Sequence, residues 1–173
     1  MYIQEYETPH GFDNIILLSD GECLTGLYFE NGRDISPLSG CEQNTDCRAF
    51  VETRRWLDIY FSGNNPDFTP FYKIAGLTPF GGRVTELMNA IPYGATVTYN
   101  DIAKQIAAER GIDKMSAQAV GGAVGRNPIC IIVPCHRVMG ANGKLTGYGG
   151  GIKNKLKLLE LEKNDIKKFT FPK

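Results

Sequence analysis

Nine consecutive residues, Ala117-Gln118-Ala119-Val120-Gly121-Gly122-Ala123-Val124-Gly125, hold no side chain larger than valine except one glutamine. Ser116 ahead of them is a good helix N-cap, and Asn127-Pro128 behind them is a stop, so the stretch is predicted to be helical. Three glycines in one helix cost about 1 kcal/mol each relative to alanine. Such a helix belongs where a backbone must come close to another surface. Two surfaces qualify: a neighbouring helix of the same fold, and the floor of a nucleic-acid groove. A base-reading helix carries Arg, Asn or Gln toward base edges. Here only Gln118 and the following Arg126 are of that kind. A groove-bound version would therefore be sequence-independent and suited to the minor groove. A preceding helix is expected over 101–109, with Asn100 as its N-cap and Gly111 closing it, which gives a helix-turn-helix pattern.

Chemistry concentrates a few residues further on. The apolar run Ile129-Cys130-Ile131-Ile132-Val133 ends at Pro134-Cys135-His136-Arg137-Val138. β-Branched residues halted by proline predict a short buried strand with a cysteine at its exit. An imidazole next door and a cation two residues on would favour the thiolate, which is the nucleophilic form. An inert buried cysteine is the competing reading, and the local sequence leaves both open.

The 173 residues suit one domain, or two small ones sharing an interface. Neither a run long enough to span a bilayer nor an N-terminal signal is visible. Five cysteines, odd in number and irregularly spaced, argue against a disulfide framework and for a reducing, cytoplasmic setting. The histidines are His10 and His136, and no cysteine pair has zinc-finger spacing, so neither metal nor cofactor is expected. The net charge of zero conceals a division. Residues 1–77 hold 5 Lys+Arg against 12 Asp+Glu, and residues 78–173 hold 14 against 7. The basic second half suits a polyanion. Lys104, Lys114, Arg126 and Arg137 are the phosphate candidates. The lysines at 153, 155, 157, 163, 167 and 168 are expected to solvate a terminal helix and tail.

Apolar runs at 13–19 and 22–30, joined at Asp20-Gly21, predict a hairpin. Gly32 and the stretch 36–40 mark a loop. A helix is expected from Asn44 or Thr45 to Phe61, where Phe50, Val51, Leu57 and Tyr60 with Trp56 give an apolar stripe. This first module offers no chemical constellation, and its acidity places it away from a DNA backbone. Cys41 and Cys47 read as packing or surface thiols. A boundary near 76–80 divides the chain into 1–77 and 78–173. Further expectations are a helix at 82–91, a glycine-rich loop at 140–151 and a last helix at 153–163.

Pro134-Cys135-His136-Arg137-Val138 resembles the active-site signature of the O6-alkylguanine-DNA alkyltransferases, the methylated-DNA–protein-cysteine methyltransferases. Pro92-Tyr93-Gly94, Thr98-Tyr99, Ala119-Val120-Gly121, Asn127-Pro128, Gly147-Tyr148 and Lys155…Leu158-Leu159…Glu162 follow in family order, so the resemblance covers residues 78–165. It implies an α+β chain: a small ribonuclease-H-like N-terminal α/β domain, then a winged helix-turn-helix-like alkyltransferase domain. It implies a monomeric, single-turnover repair protein that flips O6-alkylguanine out of duplex DNA and moves the alkyl group irreversibly to Cys135. O4-alkylthymine is a second candidate substrate. By the same resemblance His136 deprotonates Cys135 through a water, and Glu162, rather than Glu160, orients the imidazole. Asn127 braces the turn carrying the cysteine. Tyr99 and Tyr148 meet the extruded base, the Gly149 N–H binds its O6, and the carbonyls near Cys135 and Val138 accept from its amine. Gln118 stands where many members carry an arginine finger, Val124 where a larger apolar residue is common, and Cys130 where some have proline. The alternatives are a non-catalytic protein that flags alkylated DNA, a helix-turn-helix regulator, and a thiol hydrolase using His10.

Overall fold

The computed structural model describes residues 1–32, 38–44 and 46–171. Part of the expected loop at 36–40, and the proposed helix start at Thr45, lie outside these residues. The hairpin forms as expected: β2 (Ile15–Ser19) runs antiparallel to β3 (Leu24–Phe29). The Asp20 carboxylate holds its turn by accepting from the backbone N–H of Glu22 and Cys23. β1 (Tyr2–Tyr6) adds antiparallel to β2, and the short β4 (Glu42–Gln43) pairs parallel with β1, giving the order β3-β2-β1-β4. Helix α1 (Arg48–Phe61) starts later than the sequence suggested. The Asn44 side chain accepts from the N–H of Asp46 and Cys47, and this local turn competes with a helical start. Phe50, Thr53, Leu57, Tyr60 and Phe61 form its buried stripe.

The second half is helical. Thr78 caps α2 (Pro79–Asn89) through Gly81 N, with proline at the first position. Strand β5 (Val97–Thr98) leads into α3 (Tyr99–Arg110). Asn100 is not its cap: Thr98 and Asp101 form a reciprocal capping box two residues earlier, so Asn100 lies in the first turn. Gly111 closes α3 in the left-handed conformation, and Ser116 caps α4 (Ala117–Gly125) as expected. β6 (Val138–Met139) pairs parallel with β5, and α5 (Ile152–Leu161) follows the glycine-rich loop.

Ile129–Val133 is buried but is not a strand. Ile129 makes one bridge to Leu27, and the chain then coils: Val133 N donates to Ile129 O, and Ile131 sits at φ 69°. Apolar runs cannot separate buried turns from buried strands by periodicity, and the burial part of the expectation stands. One apolar cluster runs from Leu17 and Leu27 of the sheet through Leu57 and Tyr60 to Val84, Ile106, Val124 and Leu158. The boundary between 1–77 and 78–173 thus crosses a shared core. Among the described residues, no helix is long and apolar enough to cross a membrane.

Candidate active site

The coil at 129–134 delivers Cys135 to the start of a 3-10 turn (Cys135–Arg137), and two groups pin that coil. From β3, Leu27 N donates to Pro128 O at 2.8 Å, and Leu27 O accepts from Cys130 N at 3.0 Å. From the end of α4, Asn127 Oδ1 accepts from Ile129 N at 3.0 Å. Its Nδ2 reaches Ile129 O at 3.2 Å, Val133 O at 3.0 Å and Cys135 Sγ at 3.1 Å. Two amide hydrogens facing three acceptors mean that one is shared. A β-branched residue at positive φ, as at Ile131, persists only where surrounding bonds over-determine it. Asn127 and Leu27 supply those bonds.

His136 and Glu162 are fully buried, and His136 Nε2 lies 2.8 Å from Glu162 Oε1. Glu162 caps the end of α5 and collects more donors: Arg137 through Nε and Nη2, Gly94 N at 3.0 Å, and the Tyr60 hydroxyl at 2.7 Å. Burial alone would raise the Glu162 carboxyl, but the His136 and Arg137 contacts outweigh it and hold the group below the usual carboxylate range. Burial is also the main reason the imidazole is pushed below its ordinary value, against the opposing pull of Glu162. With the imidazole neutral, Arg137 is the cation that keeps the carboxylate charged. An ionised carboxylate only accepts, so the network assigns the hydrogen to His136 Nε2. Nδ1 is then the basic nitrogen, and it has no hydrogen-bond partner among the described residues.

Cys135 Sγ is held toward its thiolate form. The Cys130 side chain is the largest influence lowering its pKa, burial opposes it, and the Asn127 amide and Lys155 charge add to the lowering. Lys155 is fully buried and donates to Val138 O at 2.6 Å and Thr146 O at 3.2 Å. Burial lowers its ammonium pKa to about 8.

Cys135 lines a narrow cleft with Asn127, Cys130, Val124, Gly149 and Tyr148. Tyr28, Phe29 and Gly32 of the first module form its other wall. The two stretches of chain meet here at backbone distance. A Cβ on Gly150 would lie 2.5 Å from the Phe29 ring, and one on Gly32 would lie 3.0 Å from Gly149 O. Outward, past Gly125 and Gly147–Gly149, lies a broader groove lined by Tyr99, Gln118, Gly121 and Gly122. The Tyr99 hydroxyl donates to Thr146 O at 3.2 Å.

The expected residues fall into three groups. Cys135, Asn127, Tyr148 and Gly149 share the cleft, with His136 and Glu162 linked behind it, while Glu160 is exposed. Tyr99 and Gln118 line the outer groove, and Arg126 is exposed at the end of α4. Val138 is fully buried and outside the cleft lining, and its carbonyl accepts from Lys155. Arg137 is not a surface phosphate contact, because its guanidinium is spent on Glu162 and Ile91 O. Lys155 does not solvate the helix. It lies on one face with Leu158, Leu159 and Glu162, and that i, i+3, i+4, i+7 spacing marks it for burial. Tyr60 read only as core from its helical position. His10, the hydrolase candidate, is exposed. Among the described residues no cluster of His, Cys, Asp and Glu could hold a metal ion.

The packing of α4 bears on its glycines. Val120, Ala123 and Val124 face the core. A Cβ on Gly125 would meet open space, and one on Gly122 would touch only the Arg126 side chain at 3.5 Å. Close helix packing does not require glycine at either position.

The fold and cluster define an α+β protein in which a cleft-lining cysteine, next in sequence to a buried imidazole–carboxylate pair, lies near a helix-turn-helix. Residues 79–164 match the family described as 6-O-methylguanine DNA methyltransferase, DNA binding domain. The methylated-DNA–protein-cysteine methyltransferase of Mycobacterium leprae is 43% identical over 167 residues, covering 96% of this chain and 94% of that one. Its Mycobacterium tuberculosis counterpart is 53% identical over 119 residues, covering 69% and 68%. The crystal structure of Mycobacterium tuberculosis OGT in complex with DNA superposes with a TM-score of 0.80 at 38% identity, covering 97% of this chain and 98% of that one. The chain belongs to the methylated-DNA–protein-cysteine methyltransferase family.

Proposed function

We propose that this protein repairs duplex DNA by accepting the alkyl group of an everted O6-alkylguanine on Cys135, once per molecule. The observation that carries this reading is the sulfur itself. It lies in a cleft, 3.1 Å from the Asn127 amide, and the next residue in the chain, His136, forms a buried imidazole–carboxylate pair with Glu162. His136 Nδ1 takes the thiol proton through a bridging water, and Glu162 steadies the imidazole from Nε2. The thiolate attacks the saturated alkyl carbon. A C–S bond forms, the C–O6 bond breaks, and guanine leaves with the electron pair and takes up a proton. The thioether product is inert to cellular thiols, so no second turnover follows.

The narrow α4 sits in a DNA groove, and Gln118 fills the gap left by the flipped base. Tyr99 and the Gly149 N–H hold the guanine, Tyr148 walls the pocket, and Arg126 meets phosphate. Residues 1–77 and 78–173 act as two modules around one site. An active thiol fits a reducing, cytoplasmic setting. A sequence-reading regulator is disfavoured because α4 exposes only Gln118 for base contacts. A lesion-flagging protein would have no use for a thiol held as a thiolate.

The test is stoichiometry. With excess duplex carrying a methyl-labelled O6-methylguanine, label on the protein should plateau at one per molecule. Release of free label, or continued turnover, would refute the reading.

A further inference from the structure

Tyr60 carries a hydroxyl from the first module into the cluster behind Cys135. It sits near the end of α1, fully buried. Its ring stacks on Trp56 at 5.2 Å and 10° and meets Phe61, Tyr93 and His136 edge-on. Phenylalanine would fill that aromatic slot equally well, so the hydroxyl has to be explained by what it touches. It donates to Glu162 Oε1 at 2.7 Å and lies 3.4 Å from His136 Nε2.

We propose that Tyr60 is a positioning residue whose hydroxyl draws charge from Glu162 Oε1, keeping His136 neutral with Nδ1 free to accept the Cys135 proton. This rests on the reading of Cys135, His136 and Glu162 given above. A carboxylate 2.8 Å from an imidazole favours the imidazolium, and an imidazolium cannot take a second proton. Donors to the same carboxylate weaken that pull. Arg137 donates from the 3-10 turn, Gly94 N binds Oε2, and Tyr60 competes with His136 directly at Oε1. The other charged and titratable neighbours are Lys155 from α5, which also disfavours the imidazolium, Tyr93 from the loop after α2, and Tyr148 from the glycine-rich loop, which faces Tyr60. The first module, which offers no chemical constellation in sequence, thereby sets the protonation state of the base.

The test uses the full-length Tyr60→Phe protein with two readouts. One is imidazole nitrogen NMR, which has just His10 and His136 to resolve. The other is the pH dependence of methyl transfer from an O6-methylguanine duplex. Without the hydroxyl, the His136 midpoint and the acid limb of the rate should rise together by about half to one pH unit. Transfer below the midpoint should slow about three- to tenfold, with duplex binding within about twofold of wild type. Replacing Tyr60 with 3-fluorotyrosine, a stronger donor, should move both midpoints the other way, which covers the case in which the phenylalanine variant fails to fold. Loss of active fraction or of thermal stability with unmoved midpoints would overturn the proposal and leave Tyr60 a packing residue. If wild type transfers no methyl, the repair reading fails, whereas the His136 titration still reports on Tyr60 alone.

Discussion

Asn127 Nδ2 lies 3.1 Å from Cys135 Sγ while the same side chain ties the carbonyls of Ile129 and Val133 and the N–H of Ile129. One amide therefore both folds the coil and donates to the sulfur at its end. Stability and thiol acidity are coupled through a single residue.

Asn127→Ala should unpair these groups together. We expect a loss of about 2–4 kcal/mol in denaturant unfolding, since buried backbone groups would be left without partners. The Cys135 pKa should rise as well, read as slower reaction with a small alkylating agent at neutral pH. A variant that loses stability but keeps wild-type thiol reactivity would separate the two roles.

The buried pair fixes the sign of the acid response. His136 has a folded pKa below its ordinary value, chiefly through burial. Glu162 is likewise lowered, with the His136 and Arg137 contacts outweighing burial. In both cases the unfolded chain binds more protons than the folded one at acid pH, so stability rises with pH. The contribution of this pair should be complete above about 6.5, decline as His136 is forced to charge, and decline further below about 4.5 as Glu162 is protonated. Denaturation midpoints measured from pH 4 to 8 should follow that course. A stability maximum near pH 5 would contradict it.

Gly122→Ala should act in opposite directions on folding and binding. The added Cβ has space and improves helix propensity, so the protein should gain about 0.5–1 kcal/mol. The same methyl would stand on the face that approaches DNA, so affinity for a duplex should fall, in electrophoretic mobility shift, by about tenfold. Unchanged affinity would mean that α4 does not enter a groove.

Much of the second half was legible in the sequence because its signals are local. Ser116 as a cap, Gly111 as a terminator and Asn127-Pro128 as a stop act within a few residues, and the structure keeps all three. Asn100 was misplaced as the cap of α3 because Thr98 and Asp101 make a better reciprocal pair two residues earlier. Cys135, His136 and Glu162 were found through a motif, which spacing alone would not have ranked above a buried cysteine. The strand at 129–133 was lost because the bonds that coil it come from Asn127 and from Leu27 of a distant strand. The polar contacts of Tyr60 and Lys155 carry no such local signal, for a related reason. A tyrosine in an apolar stripe looks like core, a lysine in a basic tail looks like surface, and their polar ends meet partners far along the chain. The pocket wall formed by Tyr28, Phe29 and Gly32 has no local signature at all.

The central claim is that Cys135 Sγ is the alkyl acceptor. Incubating the protein with a duplex containing O6-methylguanine, digesting it and weighing the peptides tests this most directly. The account predicts one added methyl on the peptide carrying Cys135, with Cys130 untouched and none in Cys135→Ser, which should still bind the duplex. A methyl found on Cys130, or an unmodified Cys135 in protein that has bound the lesion, would contradict it.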